Sequence, residues 1–217
     1  MKWFTRLCYG LAVLCILLVA YYRVWFLRKP DRKIPHNENQ FVSPANGTIV
    51  SIKPWHSQNV IETKKDNGAV DIWTRDVDTA GYIISIQMDV TNVHYQRVPV
   101  TATVISEHYE KGDFNNAVRM SNEYGIRFEN EHNELLFQTQ DGKKFKLVQI
   151  AGFVARRIED YVEVNQTLQQ GDVWGLIKLG SQVTVILPHD AIIKATVGET
   201  VVDGESVIAE WPYLTMN

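Results

Sequence analysis

Beyond residue 40 the chain is a succession of short β-forming runs cut by Gly, Asn and Asp, and no stretch after the first 27 residues sustains a 3.6-residue apolar period. The candidate strands are Thr48–Lys53, Tyr82–Met88, Ala102–Glu107, Gly125–Glu129, Leu135–Thr139, Phe145–Ile150, Trp174–Leu179 and Val183–Leu187. Asp141-Gly142, between two of them, reads as a hairpin turn. The pattern predicts a mainly β body, a single antiparallel β-sandwich or small barrel.

The first 27 residues are different in kind. From Leu7 to Tyr22 there is no charge. As a helix this run gives roughly 24 Å, and the flanking Trp3, Phe4 and Val24–Leu27 extend it towards a ~30 Å hydrocarbon core. Trp3, Tyr21, Tyr22 and Trp25 fall where interfacial aromatics belong. Lys2 and Arg6 precede the run, whereas Arg23, Arg28, Lys29, Arg32 and Lys33 follow it against a single Asp31. That bias places the body on the cytoplasmic face of the cell membrane, and the cluster attracts anionic head groups. A cleaved signal is the competing reading, but Leu18-Val19-Ala20 is followed at once by bulky Tyr21 and Tyr22. An interfacial helix is the third reading. The chain therefore divides into an anchor (1–27), a basic, proline-punctuated linker (28–40) and a body (41–217).

Composition removes whole classes of function. A net charge of -3 lacks the basic footprint of a nucleic-acid binder. Cys8 and Cys15 both lie in the apolar segment, so the body has no thiol for a disulfide, a zinc site or a nucleophile. The histidines form no metal-ligand pair, so no metal is expected, and no phosphate-cradling glycine loop occurs. A weak repeat, Thr167-Leu-Gln-Gln-Gly-Asp172 against Thr200-Val-Val-Asp-Gly-Glu205, has the form of turns in lipoyl and biotinyl carrier barrels. A carrier, however, needs its lysine at a tip, and Lys178 sits inside an apolar run.

The most informative stretch is Trp174–Pro188, where a β-forming run breaks at Gly180-Ser181 and resumes directly. A β-bulge with an outward serine explains it. So does chemistry. Without a Cβ, the Gly180 carbonyl can be approached and twisted. Attack by the Ser181 hydroxyl turns amide into ester, elimination leaves dehydroalanine, and hydrolysis releases ammonia and leaves a pyruvoyl ketone at 181. Such a ketone is a built-in electron sink.

Several ordered blocks carry a resemblance. Phe26-Leu-Arg-Lys-Pro-Asp-Arg-Lys-Ile-Pro35, Ser43-Pro-Ala-Asn-Gly47, Asn92-Val-His-Tyr-Gln-Arg-Val-Pro99, Asn130-Glu-His-Asn133, Gln149-Ile-Ala-Gly-Phe-Val-Ala-Arg-Arg-Ile158 and Lys178-Leu-Gly-Ser181 occur in that order. Over roughly residues 25–210 the chain resembles the short, archaetidylserine-decarboxylase-like branch of the phosphatidylserine decarboxylase proenzymes.

The resemblance implies a proenzyme that cleaves itself between Gly180 and Ser181. The larger, anchored subunit would pair with a smaller one whose covalent pyruvoyl cofactor derives from Ser181. The substrate would be a serine phospholipid, converted from phosphatidylserine to phosphatidylethanolamine in phospholipid biosynthesis. It also implies His94 as a catalytic histidine that binds carboxylate or moves a proton, and Arg97, Arg156 and Arg157 as cations for the lipid phosphate or carboxylate. The sequence departs from the family at Asn46, where the family has an aspartate implicated in self-cleavage, and more mildly at Gln182. Deamidation at Asn46-Gly47 or another carboxylate such as Asp89 could replace that charge. The alternative is an unprocessed, catalytically degenerate, membrane-tethered relative that binds lipid or a partner.

Overall fold

A computed structural model describes residues 2–35, 37–57, 74, 76–112, 130–152, 157–178 and 181–212. The chain opens with α1, Lys2–Ala20, which runs straight into a π-wound turn over Tyr21–Phe26. Leu27 N–H donates to Tyr22 O at 3.1 Å, the five-residue step of such a turn. Lys2–Phe26 is long and apolar enough to cross a membrane, and within it only Phe26 is buried.

The strands are β1 (Gln40–Val42), β2 (Gly47–His56), β3 (Ala80–Met88), β4 (Tyr95–Arg97), β5 (Ala102–Glu110), β6 (His132–Gln138), β7 (Lys144–Ala151), β8 (Arg157–Asp160), β9 (Thr167–Leu168), β10 (Val173–Lys178), β11 (Ser181–Pro188), β12 (Ile192–Ile193), β13 (Thr200–Val201) and β14 (Val207–Glu210). The body is thus mainly β and antiparallel, as expected. Its large sheet, in the order β13-β2-β3-β11-β7-β6-β5-β9, curls into a half-barrel. Among the described residues two small sheets accompany it, β1-β14-β12 and β4-β10-β8. Every expected strand among the described residues is present; Gly125–Glu129 lies outside them. The Asp141-Gly142 hairpin joins β6 to β7, with Gly142 at φ 88°.

The large sheet is covered on both faces, which explains the unbroken apolar run of β11. Val183, Val185 and Leu187 point to the main core with Phe41, Phe137, Phe145 and Trp174, while Ile186 joins Trp55, Ile83 and Val148 on the other face. Phe41 locks the first face by meeting Phe145 and Trp211 edge-on at 5.0 and 5.7 Å.

The weak sequence repeat proves to be the two edges of the large sheet. Leu168 of β9 pairs with Ala102 of β5, and Thr200 of β13 with Thr48 of β2. Each edge closes with the same two bonds: Val104 N to Gln166 O (2.9 Å) with Asn165 N to Val104 O (2.8 Å), and Ile49 N to Glu199 O (2.9 Å) with Gly198 N to Ile49 O (2.8 Å). Asn165 and Gly198 both take positive φ, and β2 and β5 bulge at matching points, after Ile49 and after Val104. The duplication therefore includes the paired strands as well as the turns.

Candidate active site

Register gathers the sequence-selected residues at one end of the large sheet. Ser181, the first residue of β11, lies opposite Met88 on β3 and Ala151 on β7. One row further in, Gln182 pairs with Gln87, which pairs with Thr48 on β2, next to Asn46-Gly47. His94 follows β3 through the Asp89–Asn92 turn, just before β4. The chain leaves β10 in the small sheet at Lys178 and enters β11 in the large sheet at Ser181. The Gly-Ser pair therefore marks a crossing between sheets; Gly180 itself lies outside the described residues.

Ser181 is buried, and its hydroxyl donates weakly to Met88 Sδ at 3.4 Å. Gln96 Nε2 lies 4.0 Å from the same sulfur and donates to His94 O at 2.6 Å. Gln149 Nε2 in turn donates to Gln96 Oε1 at 2.9 Å. A Cβ at position 175 would sit 2.6 Å from Gln149 Nε2, so Gly175 is what lets β10 approach this chain. Ser181 and His94 are thus linked through Met88 and Gln96; among the described residues no direct bond joins them.

His94 is fully buried. Its Nδ1 lies 3.0 Å from Asn92 O, which can only accept, so Nδ1 carries the hydrogen and Nε2 the lone pair. Among the described residues Nε2 is buried with no hydrogen-bond partner. Burial pulls the imidazole down to about 4, against the Asn92 carbonyl and the Asp89 charge and helped by Arg28. At neutral pH it is an uncharged ring with a free lone pair, under the side chain of Phe26 with ring centroids 4.1 Å apart.

A second group surrounds Asn46. Its Oδ1 accepts from Arg32 at 3.2 Å and from the Asp203 backbone at 2.8 Å. The buried Asp203 carboxylate is held by Arg32 at 2.5 Å and Arg97 Nε at 2.9 Å. Burial pushes that carboxyl up, opposed by the two guanidiniums. Arg97 also donates to Gly171 O (2.8 Å) and Pro30 O (3.0 Å), so its guanidinium is bound to protein on every side described. Asp89 is engaged locally, accepting from Thr91 N (2.7 Å) and Thr91 Oγ1 (2.6 Å), which hold its carboxyl below the ordinary value. Arg156 lies outside the described residues, and of Arg157 only the backbone, paired with Lys178, is described. Lys178, which a carrier would have to swing, bonds Glu159 at 2.5 Å.

Asp203, Arg32, Phe26, Met88, Gln96 and Gln149 were not singled out by sequence as site residues. Most lie inside stretches that sequence did mark: Asp203 in the repeat turn, Gln96 and Gln149 in the blocks that carry the family resemblance, Arg32 in the linker. Nothing in a linear pattern says that these side chains meet.

The family model for phosphatidylserine decarboxylase matches residues 20–209. The chain belongs to the phosphatidylserine decarboxylase family. That family is one of carboxy-lyases. The match takes in Phe26, Asn46, His94, Arg97, Ser181 and Asp203. Relatives named phosphatidylserine decarboxylase proenzyme include one from Geotalea daltonii, 33% identical over 192 residues, 88% of this chain and 80% of its own length. Another, from Aromatoleum aromaticum, is 36% identical over 195 residues, covering 90% of this chain and 81% of its own length. A third, from the Wolbachia of Brugia malayi, is 35% identical over 206 residues, 93% and 80% of the two chains.

Proposed function

We propose that this chain is a self-processing decarboxylase that converts phosphatidylserine to phosphatidylethanolamine. It is made as a proenzyme and cut between Gly180 and Ser181, with the body on the cytoplasmic face of a membrane entered by Lys2–Phe26. The observation that carries this reading is the family match spanning the Gly180-Ser181 crossing and His94 together.

The surroundings of Ser181 fit a pyruvoyl group. Position 181 is buried beside Met88, and His94 offers a buried Nε2 that has no partner among the described residues. A pyruvoyl ketone at 181 would supply an electron sink for the bonding pair left behind when carbon dioxide departs. The chain supplies the rest. His94, neutral and with its lone pair on Nε2, accepts the proton that the substrate ammonium must lose and delivers it to the carbon that the carboxylate has left. Met88 and the Gln96–Gln149 pair fix the positions of Ser181 and His94. Arg156 and Arg157 are the cations proposed for the lipid phosphate or carboxylate. Arg97, tied to Asp203, fits this role only if substrate displaces one of its present partners.

The cut leaves the two pieces held together. β11, the core strand of the 181–217 fragment, is hydrogen-bonded to β3 and β7 on its two sides. Separation would open the centre of the large sheet. Denaturing gels of the purified protein should therefore show two bands that co-purify under native conditions. Intact mass should give one fragment ending at Gly180 and a second with a blocked, pyruvoyl amino terminus. Ser181→Ala should stay a single, inactive chain. A freely sequenceable serine at 181 would mean ordinary proteolysis. A single wild-type chain would favour the unprocessed relative, the reading to which the neutral Asn46 points. Asn46→Asp separates these cases, because cleavage appearing or quickening in that variant would identify the missing charge as limiting.

A further inference from the structure

Among the described residues the buried lone pair of His94 Nε2 has no hydrogen-bond partner, a costly arrangement for a polar atom taken out of water. Over one face of the same ring, with centroids 4.1 Å apart, lies Phe26, the last residue of the apolar helix and itself fully buried. Tyr22 stacks on the far side of Phe26, 5.5 Å away and nearly parallel. The turn that presents Phe26 is π-wound, one residue wider than an α-turn. Such turns are uncommon and gather at functional positions. Rewinding one residue to α would rotate Phe26 by about 100° around the helix axis.

The same turn is clamped to the loop that leads into His94. Tyr21 Oη donates to Val90 O at 3.2 Å, and Arg28 donates to Thr91 O at 2.6 Å and Trp25 O at 2.7 Å while stacking on Trp25. Around this junction Tyr21, Val24, Trp25 and Val90 stand exposed, interleaved with Arg23, Arg28 and Lys29. Exposed aromatics and aliphatics among cations, at the end of a helix fit to enter a bilayer, match the headgroup layer of an anionic membrane.

We propose that Phe26 is the substrate-access residue of this site: it closes over His94 until the Tyr21–Arg28 turn and Val90 settle into an anionic headgroup layer, which withdraws the ring and opens Nε2 to a phospholipid head. The proposal deepens the decarboxylase reading, because it rests on His94 facing the substrate. Its benefit is that the reactive imidazole meets solvent only where lipid is present.

The test reads access, not turnover. The full-length protein is placed in vesicles of phosphatidylcholine alone, or of phosphatidylcholine with phosphatidylglycerol, an anionic lipid that carries no serine. Each is treated with diethylpyrocarbonate at neutral pH, and labelling at His94 is followed by peptide mass against the exposed His56 and His108. In phosphatidylcholine, His94 should label on the order of tenfold or more slowly than His56, since reaction waits on local opening. With phosphatidylglycerol the gap should close. Phe26→Ala should label quickly in both. Phe26→Leu, which keeps apolar contact, stands in should the alanine variant fail to fold, and should lose part of the protection. Equal labelling of His94 and His56 in phosphatidylcholine, or a Phe26 variant as protected as wild type, overturns the stopper. Equal protection in the two vesicles overturns the lipid trigger. None of these outcomes depends on whether Gly180-Ser181 is cut, so failure of the decarboxylase reading would be seen separately.

Discussion

Two buried histidines in this protein follow the same local pattern, Asn92-Val-His94 and Asn130-Glu-His132. In each, Nδ1 lies on the carbonyl of the asparagine two residues earlier, at 3.0 and 2.9 Å. Their charges are set in opposite directions. Around His94 burial dominates and the ring falls to about 4. Burial pulls on His132 too, but Glu134 at 3.5 Å, the Asn130 carbonyl and Glu110 at 3.7 Å outweigh it and raise the imidazole. Glu134 is itself bound by the buried Lys146 at 3.0 Å. The tripeptide chooses the tautomer, and the neighbourhood chooses the charge. One histidine is left neutral with its Nε2 lone pair buried, whereas the other is built into a buried ion cluster.

The largest effect should come from taking away what makes His132 different. Glu134→Gln strips Lys146 of its carboxylate, and an uncompensated buried charge costs about 3–5 kcal/mol. Urea unfolding of the detergent-solubilised full chain at pH 7 measures it. In the same variant, histidine NMR should show His132 titrating lower, towards the behaviour of His94. A loss under about 1 kcal/mol would mean that the cluster is not closed to water.

Acid and alkali should separate the pair next. His94 is depressed on folding, so between about 6.5 and 4 the unfolded chain binds a proton that the folded chain refuses. Its contribution is complete above 6.5 and lost as pH falls towards 4, by about 3 kcal/mol for a shift of this size. His132 is raised, so its contribution is complete below 6.5 and fades as pH rises through the folded value. Glu134, held below its ordinary 4.5, adds an acid loss only at and below that range. His94→Gln should therefore flatten the stability slope between pH 6.5 and 5, and His132→Gln the slope above 6.5. An unchanged acid slope in His94→Gln would show that the ring is not buried neutral.

Much of this architecture was legible in sequence. The long runs became β2, β3, β5, β6, β7, β10 and β11 because alternation or continuous apolarity reports burial directly. Strands such as β4, β9 and β13 run only two or three residues, too short to show any period. They owe their pairing to turns. The repeat at Thr167 and Thr200 was visible, but its meaning as the two edges of one sheet needed the Asn165 and Gly198 bonds. Ser181 and His94 stood out through chemistry and resemblance. Phe26 over His94, and Asp203 between Arg32 and Arg97, join residues 68, 171 and 106 positions apart, contacts that no local pattern encodes. The two Asn-x-His segments make the same point, since sequence alone gives no reason to assign them opposite charges.

The smallest effect tests whether burial really outranks charge at His94. Arg28 pushes the imidazole down only weakly, as the last of the causes acting on it, and Glu110, largely exposed, pulls His132 up as the last of its own. Interactions of partly exposed charges amount to about 0–1 kcal/mol, or less than about 0.7 of a pKa unit. Arg28→Gln should therefore raise His94 by a fraction of a unit, and Glu110→Gln should lower His132 by a similar amount. Both shifts should shrink as salt is raised, because screening acts on exposed charge and leaves desolvation untouched. Histidine NMR titrations at low and high salt measure all four values. A shift of a full unit or more in Arg28→Gln, erased by salt, would make His94 a charge-controlled ring like His132 and collapse the distinction between them. Arg28 also ties Thr91 to the helix end, so a large shift that salt does not erase would instead report a loosened loop and water reaching the ring.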